Sequence, residues 1–113
     1  MYHYRAIVTK VYDGDTITAD VDLGFGIWHK DQKFKLVGID APEVRGKERQ
    51  KALESRDFLR ELILGKEVTI ETIKDKKGKY GRWLAEVFII DEKDMVKWVT
   101  ILMVKSGHAL KRD

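Results

Sequence analysis

The sequence contains no cysteine. That excludes a disulfide framework, a thiolate metal site and a cysteine nucleophile, and it leaves the redox compartment open. It contains a single proline, Pro42, which fixes its own φ and pushes Ala41 toward an extended conformation. No apolar run approaches the length of a membrane span, so no membrane association is expected. No leader peptide precedes Tyr4-Arg5-Ala6-Ile7-Val8-Thr9, which predicts a cytoplasmic protein, or a secreted one if a leader has been trimmed away. There is no internal repeat, low-complexity linker, Ser-His-Asp arrangement or phosphate-cradling glycine loop. His3, His29 and His108 lack metal-ligand spacing and read as structural or surface residues. Trp28, Trp83 and Trp98 read as packing residues.

What is present suits one soluble domain spanning residues 1–113. Apolar residues make up 43% and charged residues 36% of the chain, enough for a modest core and too apolar for a disordered segment. The net charge of +3 and pI near 9.1 are compatible with a polyanionic partner. Distribution says more than the total: Lys74, Lys76, Lys77, Lys79 and Arg82 fall close together, opposed only by Asp75. Taken alone, that run is a solvated lysine-rich turn.

Residues 4–12 alternate and are rich in β-formers, which predicts a strand. Tyr12-Asp13-Gly14-Asp15-Thr16 carries Asp-Gly, a strong hairpin signal. A period-two return follows over 17–22, then a flexible connection over 23–26. Residues 27–30 extend a strand beyond it, and a central strand is expected over 32–39. Residues 47–64 contain no proline or glycine, and Ala52, Ser55, Phe58, Leu59, Leu62 and Ile63 form one stripe, which predicts a helix stopped by Gly65. Strands are expected over 68–73 and 82–90, with turns at 75–78 and 91–94 and a brief return over 95–99. Thr100 reads as the N-cap of a short helix over 101–106, closed by Gly107. Three strands, a helix, two strands and a short helix suit an α+β, mainly β chain: a five-stranded OB-type Greek-key barrel with one long helix and a short C-terminal helix.

Phe34-Lys35-Leu36-Val37-Gly38-Ile39-Asp40-Ala41-Pro42-Glu43 organises the rest, because an apolar strand there runs into a stiff turn bearing two acids. If the first three strands form a meander, Asp13 and Asp15 approach the same sheet edge as Asp40 and Glu43. Asp15, Asp40 and the Ala41 carbonyl supply part of the oxygen shell a hard cation prefers. Arg82 starts the long strand, where a guanidinium can fork onto two phosphate oxygens. Tyr80 can stack on a base or hydrogen-bond a phosphate.

Asp13-Gly14-Asp15-Thr16, then Lys35 to Glu43, then Lys79-Tyr80-Gly81-Arg82, in that order, resemble the staphylococcal nuclease (thermonuclease) family over nearly the whole chain. The resemblance implies a Ca²⁺-dependent phosphodiesterase acting on DNA and RNA, with single strands preferred and a monomer expected. It implies Asp15 and Asp40 as metal ligands with the Ala41 carbonyl assisting, and Asp13 one layer further out. It implies Glu43 as general base or orienter of the attacking water, Arg82 as the transition-state cation, and Tyr80, Lys79 and Lys77 along the nucleic acid.

Two departures qualify that picture. Lys35, expected with Glu43 and Arg82 among the catalytic residues as a phosphate clamp, stands where the family carries an arginine on the scissile phosphate; lysine keeps the charge but lacks the planar fork. The sequence also ends at Asp113, where members of the family continue with a further helix. A non-catalytic nucleic-acid-binding module, with Lys35 marking decayed catalysis, is therefore the rival expectation. A protein-interaction domain with acids that merely punctuate turns is a third.

Overall fold

The computed structural model describes residues 2–77 and 82–112, with residues 2 and 74–77 by backbone alone. The elements run β1 (Tyr2–Asp13), β2 (Thr16–Asp22), β3 (Trp28–Leu36), β4 (Ile39–Asp40), α1 (Arg49–Ile63), β5 (Glu67–Lys77), β6 (Trp83–Ile90), β7 (Val96–Trp98), α2 (Val99–Lys105) and β8 (Leu110–Lys111). Strands β3, β2, β1, β5 and β6 pair in that order, all antiparallel, and a parallel β3–β6 pairing closes the ring. Among the described residues this is a closed five-stranded mixed barrel of the OB type, as expected. Strand β7 extends from β6, while β4 and β8 form a small separate ribbon. No helix among the described residues is long and apolar enough to cross a membrane.

Alternation places the core. Ile17, Ala19 and Val21 of β2 point inward with Ala6 and Val8 of β1, Val68 and Ile70 of β5, and Ala85 and Val87 of β6. Helix α1 covers one end of the barrel with Ala52, Ser55, Leu59 and Ile63, the buried part of the predicted stripe. Burying a side chain such as Leu59 or Ile63 stabilises the fold by roughly 1.5–3 kcal/mol. The helix ends where the Leu64 amide bonds the Arg60 carbonyl, and Gly65 (φ 74°) adopts the left-handed conformation that turns the chain toward β5. Its amide then donates to the Val8 carbonyl at 2.8 Å, tying the helix end to β1.

Several boundaries differ from the sequence expectation. The extension over 27–30 and the central strand over 32–39 are one strand, β3, which stops at Leu36. Gly38 takes φ 78° and reverses the chain, so Val37 and Ile39 do not continue the face of Lys35. Strand β5 continues past Ile73 to Lys77, where a turn over 75–78 was expected, and Lys77 still pairs with Trp83; residue 78 lies outside the described residues. Helix α2 begins at Val99 with Trp98 as its N-cap, so Thr100 is not the cap. Thr100 lies inside the helix, buried, and its hydroxyl donates to Glu86 at 3.0 Å. A hydroxyl that finds a strong tertiary acceptor has no need of the local backbone.

Candidate functional site

The first hairpin is tight, as Asp-Gly predicts. Asp13 pairs with Thr16 across a two-residue loop, and Asp13 Oδ1 accepts the Asp15 amide at 3.1 Å. The loop is pressed against α1 and the segment after β4. A Cβ on Gly14 would collide with Ser55 Oγ and come within 2.8 Å of Ala41 Cβ. Glycine is required there by proximity, and that proximity carries Asp15 to Ala41. The Ala41 amide donates to Asp15 Oδ2 at 3.0 Å, and the Thr16 hydroxyl lies 3.2 Å from Asp15 Oδ1.

Lys35 lies opposite Thr16 on the neighbouring strand. Its ammonium sits 3.0 Å from Asp15 Oδ2 and 4.0 Å from Asp40 Oδ1, with only 18% of the side chain exposed. It also donates to the carbonyls of Leu36 (3.1 Å) and Ile39 (2.9 Å). An ammonium has three donors, and these oxygens use all three. Asp40 is further held by Arg112, whose guanidinium lies 3.2 Å from Oδ1 while its amide bonds the Gly38 carbonyl.

Burial raises Asp13 to a pKa of about 7, helped by a shared hydrogen bond with Asp15 and by that group's charge. Burial opposes the charge of Asp15 too, but hydrogen bonds from Asp13 and the Ala41 amide, together with the Lys35 ammonium, hold it below its ordinary value. The pair therefore keeps one proton near neutrality, on the Asp13 side, and one negative charge facing Lys35.

These residues do not fit a bound Ca²⁺ as they are folded. Among the described residues no three His, Cys, Asp or Glu side chains converge on a common point. The Ala41 amide is spent on Asp15, and the positive charge that lies between Asp15 and Asp40 is Lys35.

Arg82, at the start of β6, reaches the same cluster from the other side. Its guanidinium donates to Thr16 Oγ1 at 3.1 Å, and the same hydroxyl faces Asp15. The parallel β3–β6 pairing, Phe34 to Trp83 and Lys35 to Leu84, brings Arg82 there. Arg82 also lines a groove of about 790 Å³ whose other cations are Lys10, Lys33, Arg56 and Arg60, against a single acid, Asp31. Arg56 pairs with Asp57 at 3.0 Å. The buried Nε of Arg60 has no hydrogen-bond partner among the described residues. Tyr12 presents an exposed ring to the groove.

The structure thus brings together Asp13, Asp15, Lys35, Asp40, Ala41 and Arg82. Glu43 is exposed in the segment between β4 and α1, where its carbonyl accepts the Gly46 amide. Its neighbour Val44 lines the basic groove. Lys79 and Tyr80, and the side chain of Lys77, lie outside the described residues. The histidines are structural where contacts exist: His108 stacks on Phe58 with centroids 4.5 Å apart, and His3 meets Glu71 at 2.9 Å. Sequence reasoning missed Thr16 as the link between Arg82 and Asp15, Arg112 as the support of Asp40, and the groove. Thr16 had a signal, as the residue closing the Asp-Gly-Asp turn; Arg112 had none.

Residues 33–112 match the model of the staphylococcal nuclease homologue family. The chain belongs to the staphylococcal nuclease family. It is 32% identical over 94 residues to a thermonuclease of Staphylococcus intermedius, covering 80% of this chain and 52% of that protein. It is 33% identical over 85 residues to a thermonuclease of Staphylococcus hyicus, covering 73% and 47%. Endonuclease YhcR of Bacillus subtilis is 29% identical over 115 residues, 94% of this chain and 9% of that protein. The chain spans about half the length of the two thermonucleases it matches. In this chain the Lys35 ammonium lies between Asp15 and Asp40.

Proposed function

We propose that this member of the staphylococcal nuclease family is a phosphodiesterase that hydrolyses DNA and RNA, as a monomer and with a preference for single strands. The observation that carries the reading is Arg82. Its guanidinium stands where the five-cation groove meets the Asp15 cluster, so a backbone lying in the groove delivers a phosphate to it. Flanking phosphates are neutralised by Lys10, Lys33, Arg56 and Arg60, and unpaired bases stack on Tyr12. Glu43, exposed beside the groove-lining Val44, takes a proton from water as its oxygen attacks phosphorus. The new P–O bond forms in line with the ester bond that breaks, and solvent protonates the leaving alkoxide. Arg82 stabilises the charge that develops on the phosphoryl oxygens. Lys77, Lys79 and Tyr80 continue the nucleic-acid path in this proposal.

Lys35 is assigned a positioning role rather than the expected phosphate clamp, because its donors are spent on Asp15 and two backbone carbonyls. The Ca²⁺ dependence expected from the resemblance forms no step of this mechanism, because the ligand set is not assembled around an open position. The same saturation of Lys35 favours a second reading, a nucleic-acid-binding module without turnover. Labelled single-stranded DNA separates the two, with cleavage followed on gels and binding by anisotropy, in Ca²⁺ and in chelator. The enzyme reading expects cutting by the wild type and a loss of about a hundredfold or more in Arg82→Ala. Tight binding with intact DNA supports the module, and DNA neither bound nor cut sinks both readings.

A further inference from the structure

Four oxygens surround the Lys35 nitrogen: Asp15 Oδ2 at 3.0 Å, the Ile39 carbonyl at 2.9 Å, the Leu36 carbonyl at 3.1 Å and Asp40 Oδ1 at 4.0 Å. Two carboxylates and two backbone carbonyls are the donor chemistry of a hard cation site, and a covalently tethered cation fills it. We infer that Lys35 is a built-in counter-ion that closes this carboxylate pair to divalent metal, and that removing its ammonium opens the pair to Ca²⁺.

The fold explains why the ammonium is hard to dislodge. Strand β3 ends one residue after Lys35, and the Gly38 reversal brings Ile39 and Asp40 back beneath the side chain. The tether gives the ammonium an effective concentration of millimolar or more at its own acceptors. Free Ca²⁺ must displace it from Asp15 and from both carbonyls at once. Asp15, the buried member of the pair, in turn requires some cation, since a buried acid left without its partner is strongly destabilising. Lysine and Ca²⁺ are thus alternatives at one position. A lysine with a packing role alone would leave no Ca²⁺ dependence when removed.

This inference stands whether or not the chain cleaves nucleic acid, and its test reads no cleavage. Wild type, Lys35→Met and Lys35→Gln are melted in chelator and in CaCl₂, and Ca²⁺ is titrated calorimetrically into each. The wild-type melting temperature is expected to be the same in both buffers. Lys35→Met should melt about 10 °C or more lower in chelator, the size expected for breaking a buried pair, and regain much of that loss in CaCl₂. It should bind Ca²⁺ at least about tenfold more tightly than the wild type, whose tethered ammonium competes for the same oxygens. MgCl₂ should rescue less, because Mg²⁺ gives up its water reluctantly. Adding Asp15→Asn to Lys35→Met should abolish the rescue. Wild type that binds Ca²⁺ as tightly as Lys35→Met overturns the inference. So does a folded variant indifferent to Ca²⁺, or failure of both variants to fold in CaCl₂.

Discussion

Asp13→Asn should make this protein more stable at alkaline pH and leave it unchanged in acid. Asp13 is almost fully buried beside Asp15, and its pKa rises from 3.8 to about 7. The folded state therefore holds a proton that the unfolded chain has already released between pH 4 and 7. Where the folded state binds more protons, stability falls as pH rises. The contribution is fully present below the unfolded pKa and is lost as pH climbs through the folded one. The span from 3.8 to about 7 sets a ceiling of about 4 kcal/mol at 1.36 kcal/mol per unit. Asparagine reproduces the protonated acid: its oxygen can accept the Asp15 amide and its NH₂ can donate to the Asp15 carboxylate. It never ionises. Because the proton is shared with Asp15, a gain of about 1–3 kcal/mol is expected at pH 8, or about 5–15 °C in melting temperature. Near pH 4 the two proteins should melt together. The assay is thermal denaturation followed by circular dichroism from pH 4 to 9 in chelator at fixed ionic strength. Asp22, Asp91 and Glu86 also titrate abnormally, but identically in both proteins, so the difference isolates the Asp13–Asp15 pair. A variant less stable than wild type at pH 8, or a difference that does not change with pH, would refute the shared-proton account.

Glu43→Gln should leave the melting temperature unchanged, since the side chain is exposed, and lower turnover on single-stranded DNA by about a hundredfold or more; unchanged turnover removes Glu43 from the chemistry. Gly14→Ala should destabilise by about 1–3 kcal/mol or more in a denaturant melt, because the new methyl meets Ser55 and Ala41 in a packed interior. A neutral result would mean that the hairpin can back away from α1. Lys10→Ala with Lys33→Ala should flatten the dependence of log Kd for single-stranded DNA on log salt by about 1–2; an unchanged slope would place the nucleic acid elsewhere.

The barrel was legible in the sequence because its information is local. Alternation over β2, the helical stripe Ala52–Ser55–Leu59–Ile63 and the Asp-Gly turn each report a periodicity or a backbone preference that neighbours in sequence can state. The ordered motifs placed the chain in its family for the same reason. The end of β3 was not legible. Val37 and Ile39 look like strand, and only the reversal at Gly38, held by Lys35 on the Ile39 carbonyl and by Arg112 on the Gly38 carbonyl, shows that the strand stops at Leu36. What occupies the acid cluster was decided by tertiary structure alone. Lysine at 35 is one positive charge in the sequence, able to serve a phosphate or a carboxylate. Which of these it serves depends on distances set by the β2–β3 register, by the packing of Gly14 on Ser55 and by the return of β4. Those contacts join residues 14, 35, 40, 55 and 112, and no window along the chain contains them all.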